Sequence, residues 1–488
     1  TGWVQDGRVC YKAPHGSLRP ELKQRLTDSK EQLLKLLAGR DGSWREIRLP
    51  PVTPRPTDQP RQLSYSQQRL WFLDQLLPDR PTYNMAYAYR LRGTLDVEAL
   101  RQALCDIVRR HEVLRTGFLA IDGVAHPRVA KDIEVELPVT DLSGCSESER
   151  ELEARHLATS EVRRPFDLST APLLRALLLR LGAAEHWFVL CLHHVVNDDW
   201  SFDVLWQELE ACYEARCRGS EAKLPELRIQ YADFAAWQHE QVNAGRLSAQ
   251  QEYWRRQLGG ERPTFDLPAD RQRPAVKAYR GNLRNFVVPA HIVTALRQLA
   301  QSCNATLYMV LAAALKTLLH RYSGQDDVFI GTAIAGRRQH DVEPLTGFFI
   351  NTLVLRTDFT GNPSFRDLLV RVRDVALAAY AHQDIPFERV IEELRPVRDP
   401  SRTPLFDVLL VLHKAPVPRR LSGLQIEQLP VTNGAAKFDL TLELTETPDG
   451  LLSGFFEYDS DLFELATIDR LITHFLSLVV GIASAPDR

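Results

Sequence analysis

The same mixture of helix-type and strand-type apolar segments occurs twice along the chain, on either side of a polar, proline-broken stretch at residues 239–275. In the first half, residues 96–111 carry a helical stripe, and residues 187–192 form a short, bulky run typical of a buried strand. In the second half, residues 305–322 predict a long apolar helix and residues 350–356 predict a strand. A chain of 488 residues also exceeds what one hydrophobic core usually accommodates. The pattern therefore predicts a mixed α/β fold built as two lobes.

The N-terminal region has a different character from the rest of the chain. Residues 20–37 predict an amphipathic helix, and five prolines between residues 50 and 60 predict a stiff, extended linker. We predict a helix and Pro-rich linker over residues 1–60, an N-terminal lobe over 61–240 and a C-terminal lobe over 241–488.

Composition excludes several classes of function. With 60 Lys+Arg against 63 Asp+Glu, the net charge of −3 argues against a nucleic-acid binder that relies on a broad basic surface. We find neither an uninterrupted apolar run of about 18 residues nor a secretory signal, so we expect no membrane span and a cytoplasmic location. The seven cysteines include no C-x-x-C pair, which disfavours a disulfide framework and a zinc site.

The sharpest local feature is the pair His193-His194, which directly follows the predicted strand at 187–192. A polar loop comes next, and then a helix, which is where side chains leave a core and can meet a substrate. Adjacent residues at a strand end point to opposite faces, so at most one histidine can face a given cleft. By itself, such a pair is more often incidental than catalytic. Neighbouring residues rarely chelate one ion, so no metal site is predicted.

The loop from His193 to Ser201 resembles the HHxxxDGWS motif of condensation domains of non-ribosomal peptide synthetases, in the chloramphenicol-acetyltransferase-like superfamily. Six further segments resemble motifs of that family, and all seven occur in the family's order. They are SQQRLWFL (66–73), RHEVLRTGF (110–118), YADFAAWQ (231–238), GFFINT (347–352), HQDIPFE (382–388) and RDPSRTPL (398–405). Seven ordered motifs make a chance match negligible.

The resemblance implies a fold of two lobes in a V with a central tunnel. It also implies peptide-bond formation between a donor acyl or peptidyl thioester and an acceptor aminoacyl thioester. The implied partners are an upstream donor carrier protein, a downstream acceptor carrier protein and an adjacent adenylation domain. Phosphopantetheine arms of the carriers enter the tunnel, and no cofactor is expected to be permanently bound. The segments at 67–76 and 401–406 resemble the subtype that takes a D-configured donor and an L-configured acceptor.

By motif position, His194 is the expected catalytic residue. Its imidazole is either a general base toward the acceptor amine or a hydrogen-bond partner that positions the amine and stabilises the tetrahedral intermediate. His193 is expected to be structural. Asp198 is expected to form an ion pair that holds the loop, with Arg337 as its partner and Arg338 as the alternative.

The remaining motif residues are expected to be structural. Trp200 and Ser201 begin the following helix, where Ser201 is a candidate cap. The lobe interface is expected to be organised by Arg115, Asn351 and Asp384. The side chains of Trp237 and Phe387 are expected to belong to the core.

Asp199 occupies a position where the family has glycine. Asp tolerates positive φ, so the fold can survive the change. One interpretation is a tolerated variant whose side chain turns away from the tunnel. The other is a condensation-like platform with reduced or no catalysis that recruits carrier proteins or tailoring enzymes, like relatives with a double Asp here. Those relatives lose the histidine pair, which this chain keeps. A free-standing acyltransferase that uses coenzyme A is the least favoured alternative.

Overall fold

The computed structural model describes residues 2–5, 8–11, 49–56, 59–260, 267–397, 399–415 and 417–487. The chain divides into two compact units, residues 1–50 and 51–488. In the first unit, strands β1 (Gly2–Gln5) and β2 (Arg8–Tyr11) form an antiparallel hairpin. The helix predicted at 20–37 lies outside the described residues, as does Arg398 of the last motif.

The second unit contains two larger sheets. The strands of the first are β3 (Asn84–Arg92), β6 (Val139–Asp141), β7 (Leu174–Gly182), β8 (Glu185–His193) and β13 (Gln425–Leu429). They lie in the order β13-β3-β8-β7-β6, and of the neighbouring pairs only β6 and β7 are parallel. A separate hairpin joins β4 (Thr116–Ile121) to β5 (Val124–Val129).

The first sheet is covered by helices on both faces. The helices of this half are α1 (Tyr65–Leu76), α2 (Val97–Arg110), α3 (Glu147–Arg163), α4 (Asp199–Cys217), α5 (Tyr231–Asn243) and α6 (Ser248–Leu258). Phe188 and Leu190 of β8 pack with α2 and α4, whereas Trp187 and Val189 pack with α3. Burial on both sides explains why residues 187–192 are continuously apolar, and the predicted strand is confirmed.

The second sheet has six strands. They are β9 (Gly281–Val288), β10 (Asp327–Ile334), β11 (Asn351–Asp358), β12 (Val408–His413), β14 (Leu440–Glu446) and β15 (Leu452–Asp459). Their order is β11-β10-β12-β14-β15-β9, with parallel pairing of β10 with β12 and of β12 with β14. The accompanying helices are α7 (Ala290–Ser302), α8 (Leu307–Ser323), α9 (Phe365–Ala381), α10 (Phe387–Leu394) and α11 (Leu465–Ser484).

The two faces of the second sheet differ in polarity. On one face, Leu442 and Phe456 are fully buried. On the opposite face, Glu443 of β14 and Glu457 of β15 are only partly buried. Strand side chains alternate between faces, so this sheet presents a charged surface toward the rest of the second unit.

Helix α11 has the length and hydropathy of a membrane span, and so does the bent pair α7 and α8. The sequence pattern did not predict this because Asp469 and Arg470 interrupt the apolar run of α11. In the folded chain the three helices pack against one another, and Ile468 and Phe475 of α11 are fully buried. This is the arrangement of core helices that cover one face of a sheet.

Strand β13 belongs to the first sheet although it comes late in the chain. It pairs antiparallel with β3, so residues 425–429 add an edge to the sheet formed by the first half. The chain then returns to the second sheet through residues 430–439, here called the crossover. Asn433 Nδ2 in the crossover donates hydrogen bonds to the carbonyl oxygens of Pro81 and Asn84. Ala436 N donates to Tyr279 O beside β9, so the crossover is fixed from both sides.

Candidate active site

His193 is the last residue of β8 and is buried, with 3% of its surface exposed. Its Nδ1 accepts a hydrogen bond from Val195 N at 3.1 Å. The rings of Tyr83 and Phe166 approach it edge-on, at 6.3 and 6.0 Å between centroids. Burial lowers the pKa of His193 to about 3, so the side chain is a neutral part of the packing.

His194 opens the loop and is only partly buried. Its backbone N donates to Tyr83 O at 2.8 Å, and its Nδ1 lies 2.7 Å from Asn197 O. A carbonyl oxygen can only accept, so Nδ1 carries the hydrogen and Nε2 keeps a lone pair. The Phe348 ring packs against the imidazole, with 4.6 Å between the ring centroids. Burial, and then the positive charge of Lys437, hold the pKa of His194 well below 6.5.

Asp198 is almost fully buried and caps the start of α4. Its Oδ1 accepts from Ser201 N at 2.7 Å, and its Oδ2 accepts from Phe349 N at 2.9 Å. Arg337 Nη2 lies 3.3 Å from Oδ1, which confirms the predicted ion pair. This carboxylate therefore holds backbone in place, both at the helix start and in the second half of the chain.

Arg337 is buried, and its two terminal nitrogens bond to the loop that follows β10 and to the start of α4. Its Nη1 donates to the carbonyl oxygens of Val342 and Leu345, at 2.6 and 2.7 Å. Its Nη2 donates to Ser201 Oγ at 2.6 Å. The alternative partner, Arg338, instead pairs with Asp384 at 2.7 Å.

Residues 346–349, here called the strap, each form a hydrogen bond with a residue of the first half of the chain. Thr346 N donates to His111 Nδ1, and Gly347 N donates to Ser201 Oγ at 3.0 Å. Phe348 O accepts from Tyr231 Oη at 2.6 Å, and Phe349 N reaches Asp198. This strap places the Phe348 ring on the imidazole of His194.

Gly347 allows the strap to lie against α5. A Cβ at this position would lie 2.0 Å from the Tyr231 ring, which no side chain larger than hydrogen can tolerate without a shift. The strap's other anchor, His111, is fully buried, and its Nε2 lies 2.8 Å from Glu208. The role of His111 was not predicted, although the RHEVLRTGF motif contains this residue.

Trp200 lies in the first turn of α4 as expected, whereas Ser201 is not the expected cap. Asp198, and not Ser201, supplies the N-cap of α4. Ser201 Oγ donates to Gly347 O at 2.7 Å, so the hydroxyl joins the two halves of the chain. Trp200 Nε1 donates to Glu343 O at 3.0 Å, although 44% of the Trp200 surface is exposed. Both side chains therefore contact the segment around the strap.

Asp199 is the first residue of α4, and its φ is not positive. Contrary to the expectation, glycine's conformational freedom is not needed here, because the backbone is ordinary helix. The residue is exposed, yet desolvation by the surrounding protein raises the pKa of its carboxyl to about 6. Glu443 contributes to the rise in pKa, and His413 and Lys437 oppose it. Asp199 therefore faces the charged side of the second sheet.

Lys437 is the principal site residue that was not predicted from the sequence. It lies on the crossover, and its Nζ is 5.5 Å from the centroid of the Tyr83 ring. Nearby, His413 Nε2 lies 3.2 Å from Glu443 Oε1. A lone lysine ahead of a strand carries no local signal of function. Only the return of the chain between the two sheets brings Lys437 to the His194 loop.

The other motif residues make mostly local contacts. Arg115 donates to Ala130 O, and Asn351 Nδ2 donates to Gln383 O and Ile385 O. The expectation that such residues organise the lobe interface is wrong for these two, because each side chain bonds within its own half of the chain.

The remaining expectations for motif residues concern three other side chains. Asp384 binds Gln250 as well as Arg338, all on one side of the predicted lobe boundary. The side chain of Phe387 is buried as expected, and Trp237 packs at the edge of the first core. Within the described ranges, no group of three or more His, Cys, Asp or Glu side chains is placed to hold a metal ion.

Comparison with known proteins covers nearly the whole chain. The Condensation domain family matches residues 58–488, and the TubC N-terminal docking domain family matches residues 3–38. A linear gramicidin synthase of Brevibacillus parabrevis is 45% identical over 93% of this chain, which spans 6% of that protein. Phosphinothricin tripeptide synthetase PhsC of Streptomyces viridochromogenes is 43% identical over 90% of this chain, which spans 40% of that protein.

A solved structure gives the same result for the fold. The complex of the X-domain and OxyB from teicoplanin biosynthesis contains a chain with 30% identity and a TM-score of 0.82. The match covers 90% of this chain and 97% of that one. The predicted mixed fold of the chloramphenicol-acetyltransferase type is thereby confirmed. By its family match, its ordered motifs and its fold, the chain belongs to the condensation domain family.

Proposed function

We propose that this chain forms a peptide bond between a donor thioester and an acceptor aminoacyl thioester, each carried on the phosphopantetheine arm of a carrier protein. The observation that carries the proposal is the tautomer of His194. With Nδ1–H held by Asn197 O, the lone pair of Nε2 is free to meet the acceptor amine. Burial keeps the imidazole neutral, because it lowers the pKa, and this preserves that lone pair at neutral pH.

The low pKa of His194 bears on the choice between a base and a positioning group. An imidazole with a strongly lowered pKa is a weak base toward a neutral amine. In the ground state, Nε2 therefore accepts a hydrogen bond and aims the amine at the donor carbonyl. As the C–N bond forms, the amine nitrogen becomes positive and acidic, and its proton can then pass to Nε2. His194 positions first and accepts the proton second.

The support around His194 has a separate role. Asp198, Arg337, Ser201 and the strap hold the loop against the second half of the chain. We infer that these groups act through His194 by fixing the loop, and that none of them reacts. His193 takes the same supporting role from inside the first lobe.

The partners follow from the family and from the N-terminal match. We propose an upstream donor carrier protein, a downstream acceptor carrier protein and an adjacent adenylation domain, in the cytoplasm and without a permanently bound cofactor. Residues 3–38 would dock the chain to another synthetase protein, as their match to a docking domain suggests. The motif segments at 67–76 and 401–406 favour a D-configured donor and an L-configured acceptor.

The test is a condensation assay with loaded donor and acceptor carriers, read by intact-protein mass spectrometry. Wild type should give the condensed thioester on the acceptor carrier. His194→Ala should reduce the rate by about 10²–10⁴-fold, the usual contribution of a positioned acid–base group. His340→Ala, at an exposed histidine, should not change it. Absence of product from wild type, or unchanged product from His194→Ala, would contradict the proposal.

A second candidate function is a platform that recruits other enzymes with little or no catalysis. It is favoured by Asp199 and by the likeness to the X-domain solved in complex with OxyB. Both histidines and the supporting contacts are present in this chain, which favours the condensing function. Asp199→Gly separates the two: a marked rise in condensation identifies the native Asp as a brake, and stable capture of a partner enzyme without condensation supports the platform.

A further inference from the structure

The crossover places the Lys437 ammonium near the His194 loop, because both contact Tyr83. Asn433 ties the crossover to the first lobe, and Ala436 ties it to the second. Lys437 follows directly, with its Nζ 5.5 Å from the Tyr83 ring. The carbonyl oxygen of the same Tyr83 holds the backbone N of His194. The fold thus fixes Lys437 and His194 on two sides of one residue.

The Lys437 ammonium makes no ion pair or side-chain hydrogen bond with any residue that the structure describes; its contact is the face of the Tyr83 ring. Two buried lysines in the same half of the chain have close partners. Lys316 Nζ donates to Leu355 O and to Thr357 Oγ1, both at 2.6 Å, and Lys277 Nζ lies 2.9 Å from Asp439. Lys437 is only partly buried, so its ammonium is open to water and to a substrate oxygen.

We propose that Lys437 is a catalytic residue whose ammonium donates a hydrogen bond to the oxyanion that forms on the donor carbonyl. This proposal rests on the condensing function. A cation held beside the reacting carbonyl stabilises the negative charge that develops on its oxygen. His194 handles the proton of the amine, and Lys437 handles the charge on the oxygen.

The step balances with these two groups. The acceptor amine nitrogen bonds to the donor carbonyl carbon, and the π electrons of the C=O bond move to oxygen, next to the Lys437 ammonium. His194 Nε2 takes a proton from the positive nitrogen. When the C=O bond re-forms, the C–S bond breaks, and the departing thiolate takes that proton from the imidazolium. Lys437 keeps its own protons throughout.

The charges around Lys437 suit this role. Several groups from different elements act on it: Asp199 of α4, Glu443 of β14, Glu457 of β15, Arg69 of α1 and the His193-His194 pair of the loop. Burial lowers the pKa of Lys437, and the three carboxyls counteract that fall. Asp199, the residue that replaces glycine, is thus one of the groups that keep the ammonium charged.

The experiment is a single-turnover condensation with loaded carriers, using wild type, Lys437→Met, Lys437→Arg and Lys414→Met. Loss of one oxyanion donor should slow the Lys437→Met reaction by about 10²–10³-fold, with unchanged affinity for the donor carrier. Lys437→Arg keeps the charge and should recover most of the rate. Lys414, exposed just beyond β12, serves as the matched control, and its substitution should not alter the rate.

A second readout separates catalysis from folding. Arginine stays protonated at all accessible pH values, so the rate of wild type relative to Lys437→Arg should fall as pH rises from about 7 to 10. A constant ratio would overturn the role of the ammonium. So would a Lys437→Met rate within about threefold of wild type. An inactive wild type would instead contradict the condensing function itself.

Discussion

Two clusters of charge flank the His194 loop, and they are built in opposite ways. In the anchor around Asp198 and Arg337, each charged group reaches backbone or hydroxyl partners within 3.3 Å, and both side chains are 1% exposed. In the cluster around Lys437 and Asp199, each charge shifts the pKa of the other group. The ammonium nevertheless has no close polar partner among the described residues. Charges with close partners fix backbone, whereas an ammonium without a close polar partner is available to a substrate.

The largest effect should come from breaking the anchor. Arg337→Met leaves the buried Asp198 carboxylate without its cation, which should lower the free energy of unfolding by about 3–5 kcal/mol. Urea denaturation measures this loss. Arg338→Met is the matched control, because its ion pair with Asp384 lies at a partly exposed site. Its free energy of unfolding should fall by only about 1 kcal/mol. Equal losses for the two variants would show that the anchor is not what holds the loop.

A smaller effect should follow from crowding the strap. In Gly347→Ala, the new Cβ meets the Tyr231 ring, and overpacking of this kind costs about 1–3 kcal/mol. The strap must move, so the condensation rate should fall together with the stability. Gly144→Ala, where a Cβ meets nothing within 4 Å, should change neither quantity. A slow but fully stable Gly347→Ala would locate the effect in Phe348 and His194 alone.

The smallest effect concerns Asp199 and has a sign set by its pKa. The folded-state pKa of about 6 lies above the ordinary value of 3.8, so the folded chain holds this proton more tightly. The ionised carboxyl therefore lowers stability as pH rises through about 4 to 6. Asp199→Asn should gain stability relative to wild type across that window and then level off, as urea titrations at several pH values can measure. A stability difference between Asp199→Asn and wild type that does not change with pH would contradict this prediction. So would an equal difference in Asp132→Asn, a substitution in an exposed loop.

The sequence predicted the secondary structure well where the apolar pattern was strong. Helices α2 and α8 and strands β8 and β11 lie within a few residues of the expected segments. The edge strand β13 and the helices α3 and α11 were missed. Most side chains of α3 and of β13 are exposed, so neither segment shows a clear apolar period.

What the sequence determined by itself is the family, the loop with His194 and the choice of Arg337 as the partner to examine for Asp198. Ordered motifs are short stretches of sequence, and they can be recognised without knowledge of the fold. The tertiary structure alone decided the tautomer of His194, the hydrogen bonds that hold residues 346–349, and the position of Lys437 beside Tyr83. Each of these joins residues far apart in the chain or depends on the direction of one hydrogen bond, and neither property is encoded in residue spacing.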